Sequence, residues 1–445
     1  MAKIIVLGGG PAGIMAAYAA SSEENSVTLI ERNEKILKKL LLTGNGKCNY
    51  SNEDLKSSYY NFGPGHPFSK ILKEYDSVWL EEFFKAHGML TYNKDGLKYP
   101  RSEKAETVRD VLSGMLEEKN IEILCGKKAV SVEKISADHG KFPQNNDVSD
   151  VLKVYNKEGT CIFRITLEDG SSIEGDKLIL AAGGKAYPST GSDGGGYRLA
   201  RALGHKVSFT YPVLSRLFTD DEDVKEMSGV RYKCKVSAFA DDEKLTSQEG
   251  EIQFTDKGLS GICIFNISRY LSKPVEEKRK CLVEIDLLPE TDEETLSGYL
   301  KNMTEKYLSQ TGCSDNVTGK DIAGCISKVL DSALGVKISK CLTDRIYRTI
   351  KTGEISDINV IADSTARMIK HFNVNITGHD SFSAAQVTKG GVDIGEVKGD
   401  LESSVCNGLF FAGEVLDVDA DCGGYNLHWA FASGYRAGLS AKENN

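Results

Sequence analysis

No apolar run in this 445-residue chain reaches the ~18 residues that a membrane-spanning helix needs. A signal peptide is not expected either, because the first apolar segment runs directly into a glycine turn. The 11 cysteines make no CxxC and no Cys/His group at metal-ligand spacing, so neither a metal site nor a disulfide framework is expected. They read as free thiols, mostly small core residues, of a cytoplasmic protein. Positive charge is not in excess: 55 Lys and Arg against 64 Asp and Glu leave a net charge of −9, which counts against a nucleic-acid-binding surface. What remains is an ordinary soluble composition, 40% hydrophobic and 27% charged, in a chain long enough for two or three domains.

The first 31 residues organise the rest. Residues 3–7 (Lys-Ile-Ile-Val-Leu) are nearly all apolar, as expected of a parallel strand buried on both faces. Gly8-Gly9-Gly10-Pro11-Ala12-Gly13 follows at once, then an Ala-rich helical stretch over 14–20, then a second apolar run, 27–30, ending on Glu31. Strand, glycine turn, helix, strand and acid in this order form the dinucleotide fingerprint in the context it requires. Gly8 permits the tight turn, Gly10 lets the backbone approach a pyrophosphate, and Gly13 lets helix and strand pack closely. Pro11 and Ala12 open the helix, whose free N–H groups favour an anion. Glu31 stands 31 − 13 = 18 residues past the last glycine, about where a ribose-binding acid belongs. No further complete unit follows, so one dinucleotide is expected to bind tightly and any second one without a fold of its own.

Residues 32–42 read as a basic helix, and Thr43-Gly44-Asn45-Gly46-Lys47-Cys48-Asn49 as a loop whose N–H groups can face an anion. An amphipathic helix is expected over 79–88, a hairpin over 91–99 turning at Asp95-Gly96, and a helix over 104–119. Residues 121–132 alternate like one strand, 136–149 read as loop and 163–174 as a hairpin. A second buried strand, 177–182, runs into Gly183-Gly184, and Gly194-Gly195-Gly196 leads a helix over 197–203; the glycines read as a helix start aimed at a cofactor or substrate anion, or as a flexible connection. From about 207 to 286 short alternating runs suggest antiparallel strands; 291–331 is helical and polar, and 342–363 is mixed. The pattern resumes at Phe372. Residues 409–412 form an apolar strand followed by Gly413-Glu414, and Gly423-Gly424 opens a last helix with small residues on one face, a second ligand-facing edge.

With these motifs assembled, the chain resembles the BaiN-like bacterial flavoproteins, a family with bile-acid dehydro-reductase-type and aminoacetone-oxidase-type members. The resemblance is carried by the turn from Gly8 to Gly13, the loop from Leu42 to Asn49, Tyr99-Pro100-Arg101-Ser102 and Ala182-Gly183-Gly184. It continues through Val387-Thr388-Lys389-Gly390-Gly391-Val392 and Phe411-Ala412-Gly413-Glu414 to Gly423-Gly424-Tyr425-Asn426. It implies FAD, which the fingerprint alone does not distinguish from NAD. It also implies an α/β fold: a doubly wound, Rossmann-like FAD-binding domain over 1–205 and 365–445, interrupted by a β-rich plus helical insert over 206–364. Gly8, Gly10 and Gly13 would hold the pyrophosphate and Glu31, with Arg32 beside it, the ribose. The loop from Thr43 to Asn49, Cys48 included, would flank the flavin, with Lys47 near a phosphate or the ring. Val130, Ala182, Gly183 and Gly184 join this set, and Gly413 and Glu414 resemble a ribityl and phosphate contact. Gly424, Tyr425, Asn426 and Leu427 would supply N–H groups near the pyrimidine edge, where a helix dipole stabilises the anionic reduced flavin. One departure is Lys257-Gly258-Leu259-Ser260-Gly261-Ile262-Cys263, where the family usually has Ser-Gly-Pro; it bears on the shape of the insert loop.

Flavin chemistry lives in the cofactor, so the protein orients the substrate and moves a proton. Reducing an activated C=C needs a proton donor near the developing enolate. Tyr425 is a candidate acid; the alternative is a tyrosine packed on the ring. Arg101 suits a carbonyl or a carboxylate, or is a surface arginine at a helix start. Lys389, before a Gly-Gly turn, is a third candidate or faces solvent. Cys48 and Cys422 read as packed thiols, and His428 as a helix-face or core histidine. The expected activity is that of an FAD-dependent oxidoreductase reducing a conjugated C=C of an enone, such as a 3-oxo-Δ4,6 bile acid or steroid, with NADH or NADPH as transient donor. A flavin-dependent amine oxidase using oxygen is the alternative, and a non-catalytic flavin-binding protein a third. The expected partner is a small-molecule substrate, without nucleic acid or membrane.

Overall fold

The computed structural model describes residues 2–119, 121–136, 161–310, 317–353 and 357–443. The chain folds into two compact units, one of Met1–Pro212 with Phe382–Asn445 and the other of Val213–Ser381.

The first unit is built on a five-stranded parallel sheet: β1 (Ala2–Leu7), β2 (Asn25–Ile30), β3 (Glu122–Leu124), β4 (Lys177–Leu180) and β5 (Leu409–Phe411). Their order across the sheet is β5-β4-β1-β2-β3, with Leu7 opposite both Ile30 and Leu180. Ile4, Ile5, Val6 and Leu7 are all buried, as a strand covered on both faces requires. Each such side chain stabilises the fold by about 1.5–3 kcal/mol relative to exposure. Helix α1 (Pro11–Ala20) crosses from β1 to β2 and is apolar nearly all round, because it packs between the sheet and the C-terminal helix. That helix, α3 (Tyr425–Glu443), approaches α1 through its small-residue face. A Cβ at Gly434 would lie 2.2 Å from the Ala12 carbonyl oxygen, and one at Gly438 2.3 Å from that of Ala16. Helix α2 (Gly195–Ala202) follows β4.

Two local expectations within this unit are overturned. Residues 32–39 are bends and turns rather than a helix, followed by a kinked 3-10 segment, Leu40–Gly46. Leu37 takes a left-handed φ of 61° and its N–H donates to the Gly9 carbonyl, so tertiary contact with the glycine turn overrides helix propensity here. Residues 121–132 do not form one strand. They split into β3 and Ala129–Ser136, which belongs to a separate antiparallel sheet with Cys161–Leu167 and Ser172–Gly175. The break falls at Gly126, whose φ is +68°. The polar stretch expected as loop over 136–149 lies outside the described residues beyond Ser136.

The second unit carries a seven-stranded sheet in which every pairing is antiparallel. Burial alternates along Cys281–Asp286, so one face of the sheet meets a core and the other does not. Helices Glu222–Glu226, Ile262–Glu276, Glu293–Gln310, Gly319–Leu334, Val336–Gly353 and Ile358–Lys370 also belong to the unit. Within 342–363, expected as mixed, the described residues 342–353 and 358–363 are helical, with Ile338, Leu342 and Ile346 buried at four-residue spacing. The unit ends later than expected. Strand Phe372–Ile376 pairs with Cys281–Asp286, so residues 365–381 belong to this unit and not to the parallel-sheet unit. At the other end the division falls after residue 212 rather than 205.

Candidate functional site

The carboxyl ends of β1, β2 and β4 open onto a cleft. Ligands of open parallel sheets bind at this end of the strands. Gly8, Gly10, Pro11, Ala12, Glu31, Arg32, Ala182, Gly183 and Glu414 line it, as do Gly195 and Gly196 at the start of α2.

The glycine turn is enforced by packing. A Cβ at Gly13 would lie 1.8 Å from the Gly8 carbonyl oxygen, whereas one at Gly10 would meet nothing within 4 Å. Gly13 thus closes the helix on the strand, and Gly10 leaves the backbone open towards the cleft. Pro11 has no N–H, and the first helical bond is Ile14 N–H to the Gly10 oxygen at 3.0 Å. The N–H groups of Ala12 and Gly13 therefore have no acceptor within the helix.

Glu31 closes the nucleotide end. It accepts from the Gly9 N–H (2.7 Å), the Asn33 N–H (2.8 Å) and the Asn33 side-chain amide (2.6 Å). The segment after Glu31 reaches across the cleft: Lys38 Nζ donates to the Ser189 carbonyl (2.8 Å), Asn33 to the Thr190 carbonyl (2.9 Å), and Arg32 pairs with Asp193 (2.5 Å). Farther along, Lys39 Nζ donates to Glu414 Oε2 (2.7 Å), and Glu414 Oε1 accepts the Thr388 N–H (2.8 Å). Gly184 and Gly413 back this pair without lining the cleft: a Cβ at Gly184 would clash with Thr388, and the Gly413 N–H donates to Ser433 Oγ. Asn33, Lys38, Lys39, Lys127, Lys128 and Arg198 also line the cleft and escape the sequence reading. For the first five the signal was the basic run after Glu31 and the Lys-Lys pair after β3; Arg198, inside α2, left none.

Loop 43–49 lies outside the cleft lining and is stitched to the start of α3. Gly44, Asn45, Gly46 and Cys48 all have positive φ, so the loop reverses direction repeatedly within five residues. Thr43 Oγ1 donates to the Leu40 carbonyl, and the buried Cys48 thiol is pushed up to about 12 by its burial. Lys47 pairs with Glu103 at 2.5 Å, a carboxylate that also accepts the Tyr92 hydroxyl. With its amide oriented to suit its neighbours, Asn49 donates to the Ser51 carbonyl and accepts the Gly424 N–H. Asn426 is tied to Ala420 through its side chain, and Leu427 is partly buried. Val130 is 42% exposed and lies outside the cleft lining, next to Ala129, which is part of it.

None of the three catalytic candidates lines the cleft. The Tyr425 ring packs 4.8 Å from that of Tyr59 and meets Tyr60 edge-on, and burial holds its phenol well above its ordinary range. Arg101 is exposed, 5.5 Å from the Tyr92 ring centre. Lys389 ends the short strand Val387–Lys389 near Asp417, whose carboxyl is pushed up by burial. His428, by contrast, is fully buried in the first turn of α3. Among the described residues no group of three or more His, Cys, Asp or Glu could hold a metal ion, and no helix is long and apolar enough to cross a membrane.

Known proteins resemble this chain along its full length. The 3-dehydro-bile acid Δ(4,6)-reductase of Clostridium scindens is 34% identical over 447 residues, covering 100% of both chains. The ribosomal RNA dihydrouridine synthase of Haemophilus influenzae is 26% identical over 445 residues, covering 98% of this chain and 97% of its own. Among solved structures, the 3-ketosteroid-Δ4-(5α)-dehydrogenase of Rhodococcus jostii covers 100% of this chain and 97% of its own at 12% identity and a TM-score of 0.47. The family model described as the HI0933-like protein Rossmann domain matches residues 2–440. The family reading made from the motifs stands: this chain belongs to the HI0933-like family, with its Rossmann-type α/β domain.

Proposed function

We propose that this chain is an FAD-dependent oxidoreductase that reduces a C=C bond conjugated with a carbonyl, with a 3-oxo-Δ4,6 bile acid or steroid as substrate and NADH or NADPH as donor. The observation that carries the reading is the cleft at the glycine turn of a chain 34% identical, end to end, to a protein named as a bile acid reductase.

The residues present suit FAD. The N–H groups of Ala12 and Gly13 stand at the start of α1, where a pyrophosphate is favoured. Three N–H bonds to Glu31 leave about one of its four lone-pair sites for a ribose hydroxyl. This reading assigns Arg32 to the same end, Ala182, Gly183 and Glu414 to the ribityl and phosphate stretch, and loop 43–49 with residues 424–427 to the flavin. Bound FAD supplies the hydride chemistry. The chain's part is to hold the substrate carbonyl, exclude water and deliver a proton; Tyr425, Arg101 and Lys389 are the candidates for that work.

A second reading has the uracil ring of an RNA as substrate. Its C5=C6 bond is conjugated with the C4 carbonyl, the same bond type as in a dienone, and two relatives 26% identical are named as ribosomal RNA dihydrouridine synthases. The net charge of −9 favours the small molecule.

Anaerobic stopped-flow absorbance of the FAD-loaded protein tests both. Bleaching by NADH or NADPH, slow recovery in air and fast recovery on a 3-oxo-4,6-diene is the expected result. Recovery on a uridine-containing RNA and not on the dienone would move the assignment to the second reading. Bleaching by a small amine with rapid recovery in air would replace both with an amine oxidase.

A further inference from the structure

The start of α3 is anchored by side chains to which the chemistry above gives no task. His428 Nε2 lies 2.9 Å from the Tyr75 carbonyl oxygen and Nδ1 2.9 Å from Ser51 Oγ. A carbonyl only accepts, so Nε2 carries the ring proton and Nδ1 accepts from the Ser51 hydroxyl. Both ring nitrogens are thereby satisfied, and His428 and Ser51 are each 0% exposed. Two parallel stitches flank this one. Asn52 Nδ2 donates to the Gly423 carbonyl at 3.0 Å, and Asn49 accepts the Gly424 N–H at 3.2 Å. The backbones are nearly in contact, since a Cβ at Gly424 would lie 2.6 Å from the Ser51 carbonyl oxygen. Segments more than 370 residues apart are thus locked in one register.

We propose that His428 is a positioning residue: through Ser51 and Tyr75 it fixes the N–H groups at the start of α3 against loop 43–49 and so sets the reduction potential of the flavin. The inference rests on the reading that places the flavin at this edge. A helix start favours negative charge only within its first turn, so a small displacement of that turn changes how well added electron density is stabilised. His428 moves no proton, having no open nitrogen and no exposure.

Full-length His428→Leu, His428→Gln and Ser51→Ala proteins, each loaded with FAD, test this by flavin midpoint potential, FAD dissociation constant and thermal unfolding. Expected is a more negative potential than the parent in His428→Leu, with FAD bound about tenfold more weakly. His428→Gln keeps a donor for the Tyr75 carbonyl and should recover part of the shift; Ser51→Ala should show a smaller one. Potentials equal to the parent's in variants that fold and bind FAD would overturn the proposal and leave the flavin reading intact. Should His428→Leu not fold, Ser51→Ala decides alone, because it removes one hydroxyl and nothing else. A parent protein that takes up no FAD would defeat the flavin reading itself, and this inference with it.

Discussion

Glu31 accepts the N–H of Gly9 at 2.7 Å, so the acid that ends β2 holds the turn that leaves β1. One carboxylate therefore shapes the glycine turn and also lines the cleft. Replacing it should damage both. In Glu31→Ala the Gly9 and Asn33 N–H groups lose a charged acceptor, an interaction of about 1.5–3 kcal/mol per bond. FAD affinity should fall by tenfold or more, and Glu31→Gln, which keeps an acceptor, should fall less. Flavin fluorescence titration checks this; equal affinity in Glu31→Ala would contradict the ribose assignment.

Gly13→Ala tests the closure of α1 on β1. Its Cβ would lie 1.8 Å from the Gly8 carbonyl, a backbone atom that has nowhere to move. Overpacking of this kind costs about 1–3 kcal/mol or more, so thermal unfolding should begin several degrees earlier. Gly10→Ala should leave the unfolding temperature nearly unchanged, since its Cβ would enter open space. Any loss in that variant should appear in FAD binding instead.

Burial lowers the pKa of His428 to about 4, although its bond to the Tyr75 carbonyl acts in the opposite direction. In the unfolded chain a histidine titrates near ~6.5, so the unfolded state takes up a proton first as pH falls. The stability that neutral His428 allows is fully present above ~6.5 and is lost as pH falls from there to about 4, by roughly 3 kcal/mol. The stability difference between parent and His428→Gln, followed by urea unfolding from pH 7.5 to 4.5, should shift in favour of the variant as pH falls.

Tyr425→Phe separates packing from proton transfer. The ring lies against Tyr59, and a phenol held well above its ordinary range is a poor acid at neutral pH. Turnover with a dienone should stay within a few-fold of the parent. Loss of a positioned acid lowers rates by about 10²–10⁴, and a fall of that size would put Tyr425 in the proton step.

The βαβ unit at the N-terminus was legible because all its determinants are local. Residues 4–7 are apolar on both faces, Gly8 and Gly13 sit where the turn needs them, and Glu31 follows β2 directly. The hairpin turning at Asp95-Gly96 was legible for the same reason: both residues have positive φ, as a turn of that type demands. Residues 32–39 misled because their composition favours a helix while Leu37 and Asn33 bond to the glycine turn and to the acid that ends β2. The second unit's end was missed because Phe372–Ile376 looks like any alternating strand; only its partner, Cys281–Asp286, assigns it to a sheet.

The amino-acid order by itself determined the class of fold, the glycine turn, the acid behind it and the family, each written in spacings shorter than about 30 residues or in motifs read one at a time. Tertiary structure alone decided which motifs share an edge. Lys39 meets Glu414 375 positions away, Ser51 meets His428 377 away, and Gly434 receives the Ala12 carbonyl. It also turned Lys47 to Glu103 and Tyr425 to Tyr59. Such pairings leave no periodicity in the chain, because they are chosen by which packed surfaces fill space without voids and by which buried polar groups find partners.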